Sequence, residues 1–111
     1  MQGGNLDGAV EAFERAIALV PTRSTGWLGL AFAQLRRGRW AEALDAAERA
    51  AALDPELAIA RAIRGESLWR LGRPCEAVRE LDGLVLSDPE EASATRRVLA
   101  AARRDCDVSR E

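Results

Sequence analysis

The sequence contains no histidine, no lysine and no tyrosine, and all 16 of its basic residues are arginines. Without histidine there is no imidazole to act as a general base or metal ligand, which excludes Ser–His and Cys–His nucleophile systems. Without lysine there is no amine for Schiff-base chemistry. β-branched residues are also scarce, which argues against strands. These absences indicate a non-catalytic helical protein that uses no metal or cofactor.

The chain also lacks a strong net charge and a long apolar run. Its formal net charge is −2, so neither nucleic acid nor a membrane surface is expected as a partner. No stretch approaches the roughly 18 consecutive apolar residues that a membrane span requires. The first residues show neither the basic segment nor the apolar core of a signal peptide. We therefore expect a cytoplasmic protein.

Cysteine is rare as well, with only Cys75 and Cys106 in the chain. The two are not spaced as a CxxC pair, and no histidine is present to complete a zinc site. We therefore expect two free thiols in a reducing compartment, with no functional role assigned to either.

What the sequence does contain is a repeat with a step of 34 residues. The recurring residues are Pro21, Pro55 and Pro89; Gly4, Gly38 and Gly72; and Ala9, Ala43 and Ala77. Asp54 and Asp88 precede prolines, as N-cap residues do, and two of the glycines fall where helices should end. This pattern predicts six helices, at about 5–19, 22–37, 40–53, 55–71, 74–87 and 89–105. The short linkers between them predict antiparallel neighbours.

The pattern resembles the tetratricopeptide repeat family, whose 34-residue helix–turn–helix units share W-x2-LG-x2-Y, A-x3-F and P positions. The best copy consists of Trp27, Leu30, Ala31, Gln34, Ala43, Ala47 and Pro55. The resemblance implies an all-α fold, a right-handed superhelix of six antiparallel helices. Trp27 and Leu30 are then expected in the core, and Ala43 and Ala77 at close contacts. Arg61 and Arg64 depart from the pattern, because an aromatic residue and a leucine are expected there.

The repeat register treats residues 1–111 as one domain. Its segments are a half repeat with only its second helix at 4–21, full repeats at 22–55 and 56–89, a C-terminal capping helix at 90–106, and a tail at 107–111. The capping helix is polar along much of its length, which suits the open end of a solenoid.

Members of this family bind partners on a concave surface lined by the first helix of each repeat, which implies a protein–protein interaction module. In the helix at 22–37, Leu28, Phe32 and Leu35 form a second apolar face that must be buried or used for binding. The corresponding positions of the later helices are Ile59, Ala62, Glu66, Trp69, Arg96, Ala100 and Arg103. We therefore expect a groove that is apolar at its start and basic toward its end.

Arginines at the same 34-residue step predict a rim that would bind an acidic partner segment. The complete set of predicted partner contacts is Leu28, Phe32, Leu35, Arg36, Ile59, Trp69, Arg70 and Arg104. Two alternatives stay open: the apolar residues pack within the repeats, and the arginines offset helix dipoles. Some family members clamp a partner's C-terminal carboxylate. We do not expect this here, because only Arg97 among the corresponding positions is suitable.

The first predicted helix carries an apolar stripe of Ala9, Phe13, Ala16 and Val20, without the helix that a full repeat would pack on it. Either a partner, a second copy in a homodimer or upstream residues would cover it. Three functions therefore remain open. They are an adaptor that binds a partner helix or extended peptide, a non-catalytic terminal segment of a larger enzyme or regulator, and a self-association module.

Overall fold

The computed structural model describes residues 2–109 of the chain and the side chains of residues 5–108. In this range it contains six α-helices and no strand. The helices are α1 (Gln2–Leu19), α2 (Ser24–Arg36), α3 (Trp40–Leu53), α4 (Ala58–Arg70), α5 (Pro74–Leu81) and α6 (Pro89–Ser109). Each helix packs against the next one in the chain, and α4 also contacts α2 and α6. The predicted all-α fold is confirmed. The end of the predicted tail, at residues 110 and 111, lies outside the described residues.

Helices α2 and α4 are each followed, two residues after their last residue, by a glycine with a left-handed backbone. Gly38 and Gly72 have φ angles of 79° and 81°. At the first of them, the amide of Gly38 donates to the carbonyl of Leu35 at 3.1 Å, and the amide of Arg39 donates to the carbonyl of Gln34 at 2.9 Å. This pair of hydrogen bonds is the Schellman motif, and it recurs at Gly72. Glycine is required because a side chain disfavours positive φ, so the predicted helix ends are confirmed.

The prolines do not all begin helices as predicted. Pro55 lies in a turn, where the amide of Leu57 donates to the carbonyl of Asp54 at 3.1 Å, and α4 begins only after that turn. The predicted start of this helix at residue 55 is therefore wrong. At α6 the predicted cap is present, because a carboxylate oxygen of Asp88 accepts the amide hydrogen of Glu91 at 2.9 Å.

Helix α5 is shorter than predicted and ends at Leu81 instead of residue 87. Gly83 follows with a φ of 79°, at a repeat position where the earlier units have Arg15 and Arg49. A glycine in this conformation ends the helix, and residues 82–88 form an irregular connection to α6. The connection between α5 and α6 is therefore longer than the repeat register predicted.

Alanines form much of the helix packing. The alanines with no exposed surface are Ala31, Ala43, Ala47, Ala50, Ala60, Ala77 and Ala102. The predicted close contacts at Ala43 and Ala77 are thus confirmed. Trp27 and Leu30 are only partly buried at the edge of a core cluster, which corrects their expected place in the core. The Trp27 indole N–H donates to the carbonyl of Pro21 at 2.9 Å, and this bond keeps one edge of the ring at the surface.

Several arginines are held by carboxylates. Arg61 and Arg64, the two departures from the repeat pattern, contact Glu80 of α5 at 3.2 and 2.7 Å. An ion pair therefore joins α4 to α5 where the pattern expects apolar packing. At the start of α5, Arg73 donates to both carboxylate oxygens of Glu76 at 2.6 and 2.8 Å. These hydrogen bonds hold the pKa of Glu76 below its usual range.

Cys75 and Cys106 form a disulfide that joins α5 to α6, with their Cα atoms 4.8 Å apart. The expectation of two free thiols is therefore wrong. Sequence spacing does not reveal this pairing, because the two cysteines are 31 residues apart and meet only when α6 packs on α5. A cross-link between the last two helices restrains the C-terminal end of the array.

Candidate protein-binding groove

A cavity of about 520 Å³ opens between α1, α2 and the start of α6. Its lining residues are Leu6, Ala9, Phe13, Thr25, Leu28, Gly29, Phe32, Ala33, Arg36, Ile59 and Glu91. Most of these side chains are apolar. A cleft of this size with an apolar lining is the usual form of a binding site.

A second cavity of about 450 Å³ continues the first toward α4 and α6. Residues that line both are Phe32, Arg36, Ile59 and Glu91. The second cavity adds Leu35, Ala62, Ile63, Glu66, Asp88, Glu90, Ala94 and Thr95. We refer to the two together as the groove. It follows the first helices of the repeats, the surface that the sequence predicted for partner binding.

Phe32 is the most prominent apolar side chain of the groove. It lines both cavities and is 41% exposed, although it is a large apolar residue. Leu28, Leu35 and Ile59 line the groove too, but they are partly buried against the core cluster beside it. These three residues therefore pack against the core on one side, as the first alternative predicts, while Phe32 keeps an exposed surface.

The charges of the groove differ from the prediction. The side chains that line the second cavity include four carboxylates, from Glu66, Asp88, Glu90 and Glu91, and one guanidinium, from Arg36, among the described residues. The groove therefore becomes acidic toward α6, and the expectation of a basic end is wrong. Three of these carboxylates come from Asp88, directly before α6, and from Glu90 and Glu91 in its first turn, which lines the second cavity.

Three of the predicted contacts do not line the groove. Trp69 donates its indole N–H to Asp105 of α6 at 2.8 Å. The guanidinium of Arg70 lies over the rings of Trp40 and Trp69, at 5.0 and 4.8 Å from their centroids. Arg104 is exposed on α6. The structure thus brings five of the eight predicted contacts into the groove, and of the arginine column only Arg36 is among them.

The apolar stripe of α1 is only partly uncovered. Ala9 and Phe13 are half-buried and line the groove, with the Phe13 ring packed over Gly29 of α2. Ala16 is exposed, and Val20 is 38% exposed. The expectation that the whole stripe lacks a cover is therefore corrected, because α2 covers one side of Phe13. Gly29 makes this possible, since any side chain there would overlap the ring.

Other groove residues were missed by the sequence reasoning. Leu6 lies one turn before Ala9 on the same apolar stripe, so helical spacing was enough to find it. Glu90 and Glu91 form the acidic first turn of α6, and no local sequence signal shows that this turn faces the groove. Their role depends on how α6 packs.

The remaining chemistry of the described residues is limited. Within residues 2–109, no group of three or more metal-ligating side chains is placed to hold an ion. None of the helices in this range is long and apolar enough to cross a membrane.

Solved structures of other proteins share this fold. The TPR2B domain of yeast Sti1, in its pHsp70 complex, matches with a TM-score of 0.80 and 19% identity, over 93% of this chain and 86% of that one. The first TPR of Spaghetti (RPAP3), bound to the HSP90 peptide SRMEEVD, has a TM-score of 0.74 and 21% identity, over 90% and 84%. The Yersinia enterocolitica type III secretion chaperone SycD, in complex with a peptide of the translocator YopD, has a TM-score of 0.78 and 22% identity, over 99% and 86%.

At these identities the likeness concerns the fold. No curated protein sequence matches the chain. A family model described as a tetratricopeptide repeat matches residues 1–58, more than half of the chain. With six packed helices, glycine-capped turns and the 34-residue step, the chain belongs to the tetratricopeptide repeat family.

Proposed function

We propose that the chain is a non-catalytic protein-interaction module that binds a partner helix or extended peptide in the groove. The observation that carries the proposal is Phe32, a large aromatic side chain left 41% exposed where the two cavities of the groove meet. Large apolar anchors in clefts supply most of the binding energy in such interfaces. The three similar structures described above are each complexes with a peptide or partner, which supports the same role here.

Membership of the family does not identify the partner. The Hsp70, HSP90 and YopD ligands are those of the three similar proteins and are not assigned to this chain. A clamp for an acidic C-terminal tail is disfavoured here, because Leu28 and Phe32 occupy groove positions where such a clamp would need cations. We therefore assign binding to apolar contact in the groove instead of carboxylate capture.

The test uses peptides selected from a random library displayed on phage against the immobilised chain. Selected peptides should lose at least about tenfold in affinity for a Phe32→Glu variant, since the change removes an apolar anchor and buries a charge. The control is Leu19→Glu, which adds the same charge at an apolar residue that is 83% exposed and outside the groove lining. Circular dichroism checks that both variants fold.

Equal binding to both variants would place the binding surface outside the groove. The self-association alternative has a separate readout in sedimentation velocity over a wide concentration range. Self-association would be favoured over partner binding if the unmodified chain is a dimer, Phe32→Glu makes it a monomer, and the phage library yields no binding peptide.

A further inference from the structure

We propose that the partner segment is cationic and amphipathic, with apolar side chains on the groove floor and lysine or arginine side chains against the first turn of α6. This inference rests on the proposed function, because it assumes that the groove is the docking surface. It differs from the sequence-based expectation of an acidic partner. What supports it is the charge of the groove wall.

The groove joins an apolar floor to an acidic wall. Phe32 and Ile59 line both cavities and form the floor at their junction. Glu90 and Glu91 lie along the side of the second cavity, in the first turn of α6. A segment whose apolar side contacts the floor would therefore present its flanking side chains to carboxylates. Such an arrangement selects partners by charge complementarity.

Of the four carboxylates that line the second cavity, three have no partner of opposite charge in the part of the chain that the structure describes. Glu66 pairs with Arg70 at 3.7 Å, and Asp88 accepts the amide hydrogen of Glu91. Glu90 and the carboxylate of Glu91 form no ion pair with any described residue. They are therefore available to incoming cations.

Arg36 does not reverse the sign of the wall. Its guanidinium lies over the ring of Phe32, 5.8 Å from the centroid, so it extends the floor beside the aromatic ring. One guanidinium among four carboxylates leaves the second cavity negative. An acidic segment in the same place would bring like charges together, which costs affinity.

The test compares two synthetic peptides by isothermal titration calorimetry. Both are acetylated, amidated 16-residue amphipathic sequences with the same leucine stripe, and the polar positions are lysine in one and glutamate in the other. The lysine peptide should bind more tightly at low ionic strength, and added NaCl should reduce the difference. A Glu90→Gln, Glu91→Gln double variant should weaken lysine-peptide binding by about 2- to 30-fold, the range that corresponds to two exposed ion pairs.

The matched control is Glu11→Gln, Glu14→Gln on α1, which raises the net charge equally at two exposed residues outside the groove lining. The control should leave the peptide preference unchanged. If both double variants weaken binding equally, the effect is one of overall charge and the proposal is wrong. Thermal unfolding of each variant checks that it is folded.

The remaining outcomes separate this inference from the proposed function. If both peptides bind equally and lose binding with Phe32→Glu, groove docking stands and the cationic preference is overturned. If neither peptide binds, this inference fails, and binding of the phage-selected peptides decides separately whether the proposed function stands. If a second copy of the chain occupies the groove, the protein should be a dimer. Phe32→Glu should abolish this dimer, and the lysine peptide should not compete with it. That result also overturns the proposal.

Discussion

The close approach of α4 and α5 depends on the absence of a side chain at Gly65. A Cβ atom built on Gly65 would overlap Cγ and Cδ2 of Leu81 and would lie 3.1 Å from Cδ1. Leu81 is only 2% exposed, so it has little room to move away. We therefore expect Gly65→Ala to strain this contact, although alanine is the better helix former.

Two opposing effects determine the size of the change. Replacing glycine with alanine inside a helix stabilises by about 1 kcal/mol. Overpacking a buried contact costs about 1–3 kcal/mol. The Gly65→Ala variant should therefore lie between unchanged and about 2 kcal/mol less stable. Gly8→Ala is the control, because it lies in α1 with no atom within 4 Å of the added Cβ, and it should stabilise by about 1 kcal/mol.

A double-mutant cycle with Leu81→Ala isolates the contact. Leu81→Ala alone should cost about 2–5 kcal/mol as a large-to-small core change. In that background Gly65→Ala meets no leucine and should stabilise by about 1 kcal/mol, which gives a coupling energy of about 1–3 kcal/mol. The assay is urea unfolding followed by circular dichroism. If Gly65→Ala stabilises as much as Gly8→Ala in both backgrounds, the packing of α5 on α4 is not as described.

Two further predictions concern the bonds between helices. Glu80→Gln removes the carboxylate shared by Arg61 and Arg64. It should lower the free energy of unfolding by about 1–3 kcal/mol, because Glu80 is only 13% exposed and both arginines lose a charged partner. A decrease below about 0.5 kcal/mol in urea unfolding would mean that solvent screens these ion pairs. The disulfide joins residues 31 positions apart, and its reduction should lower the free energy of unfolding by about 2–4 kcal/mol. Before reduction, alkylation and mass spectrometry should detect no free thiol. A Cys75→Ser, Cys106→Ser variant should be insensitive to reductant, and titration of two thiols in the untreated protein would disprove the pairing.

The sequence alone determined the number of helices and most of their ends, because these depend on local propensity and on glycine at positive φ. The turns at Gly38 and Gly72 are of this kind, since their hydrogen bonds join residues close in sequence. The early end of α5 also had a local signal. Gly83 stands where the earlier repeats have arginine. A prediction from the repeat step alone does not take this difference into account and therefore extends α5 too far.

The apolar part of the groove was also largely predictable. Leu28, Phe32 and Leu35 share a face of α2 because helical spacing places them there, and the resemblance to the family indicated that such a face is concave. Sequence spacing could not say how much of each side chain stays exposed. That depends on the neighbouring helices, which bury part of Leu28 and Leu35 and leave Phe32 open.

Only the tertiary structure decided the charge of the groove and the links to α6. The orientation of α6 depends on its packing against α5 and α4, which brings together residues distant in sequence. This orientation turns Glu90 and Glu91 toward Phe32 and brings Cys106 to Cys75. The repeat register alone does not show such contacts, because they depend on which side chains of α6 meet α5, α4 and the groove when the helices pack.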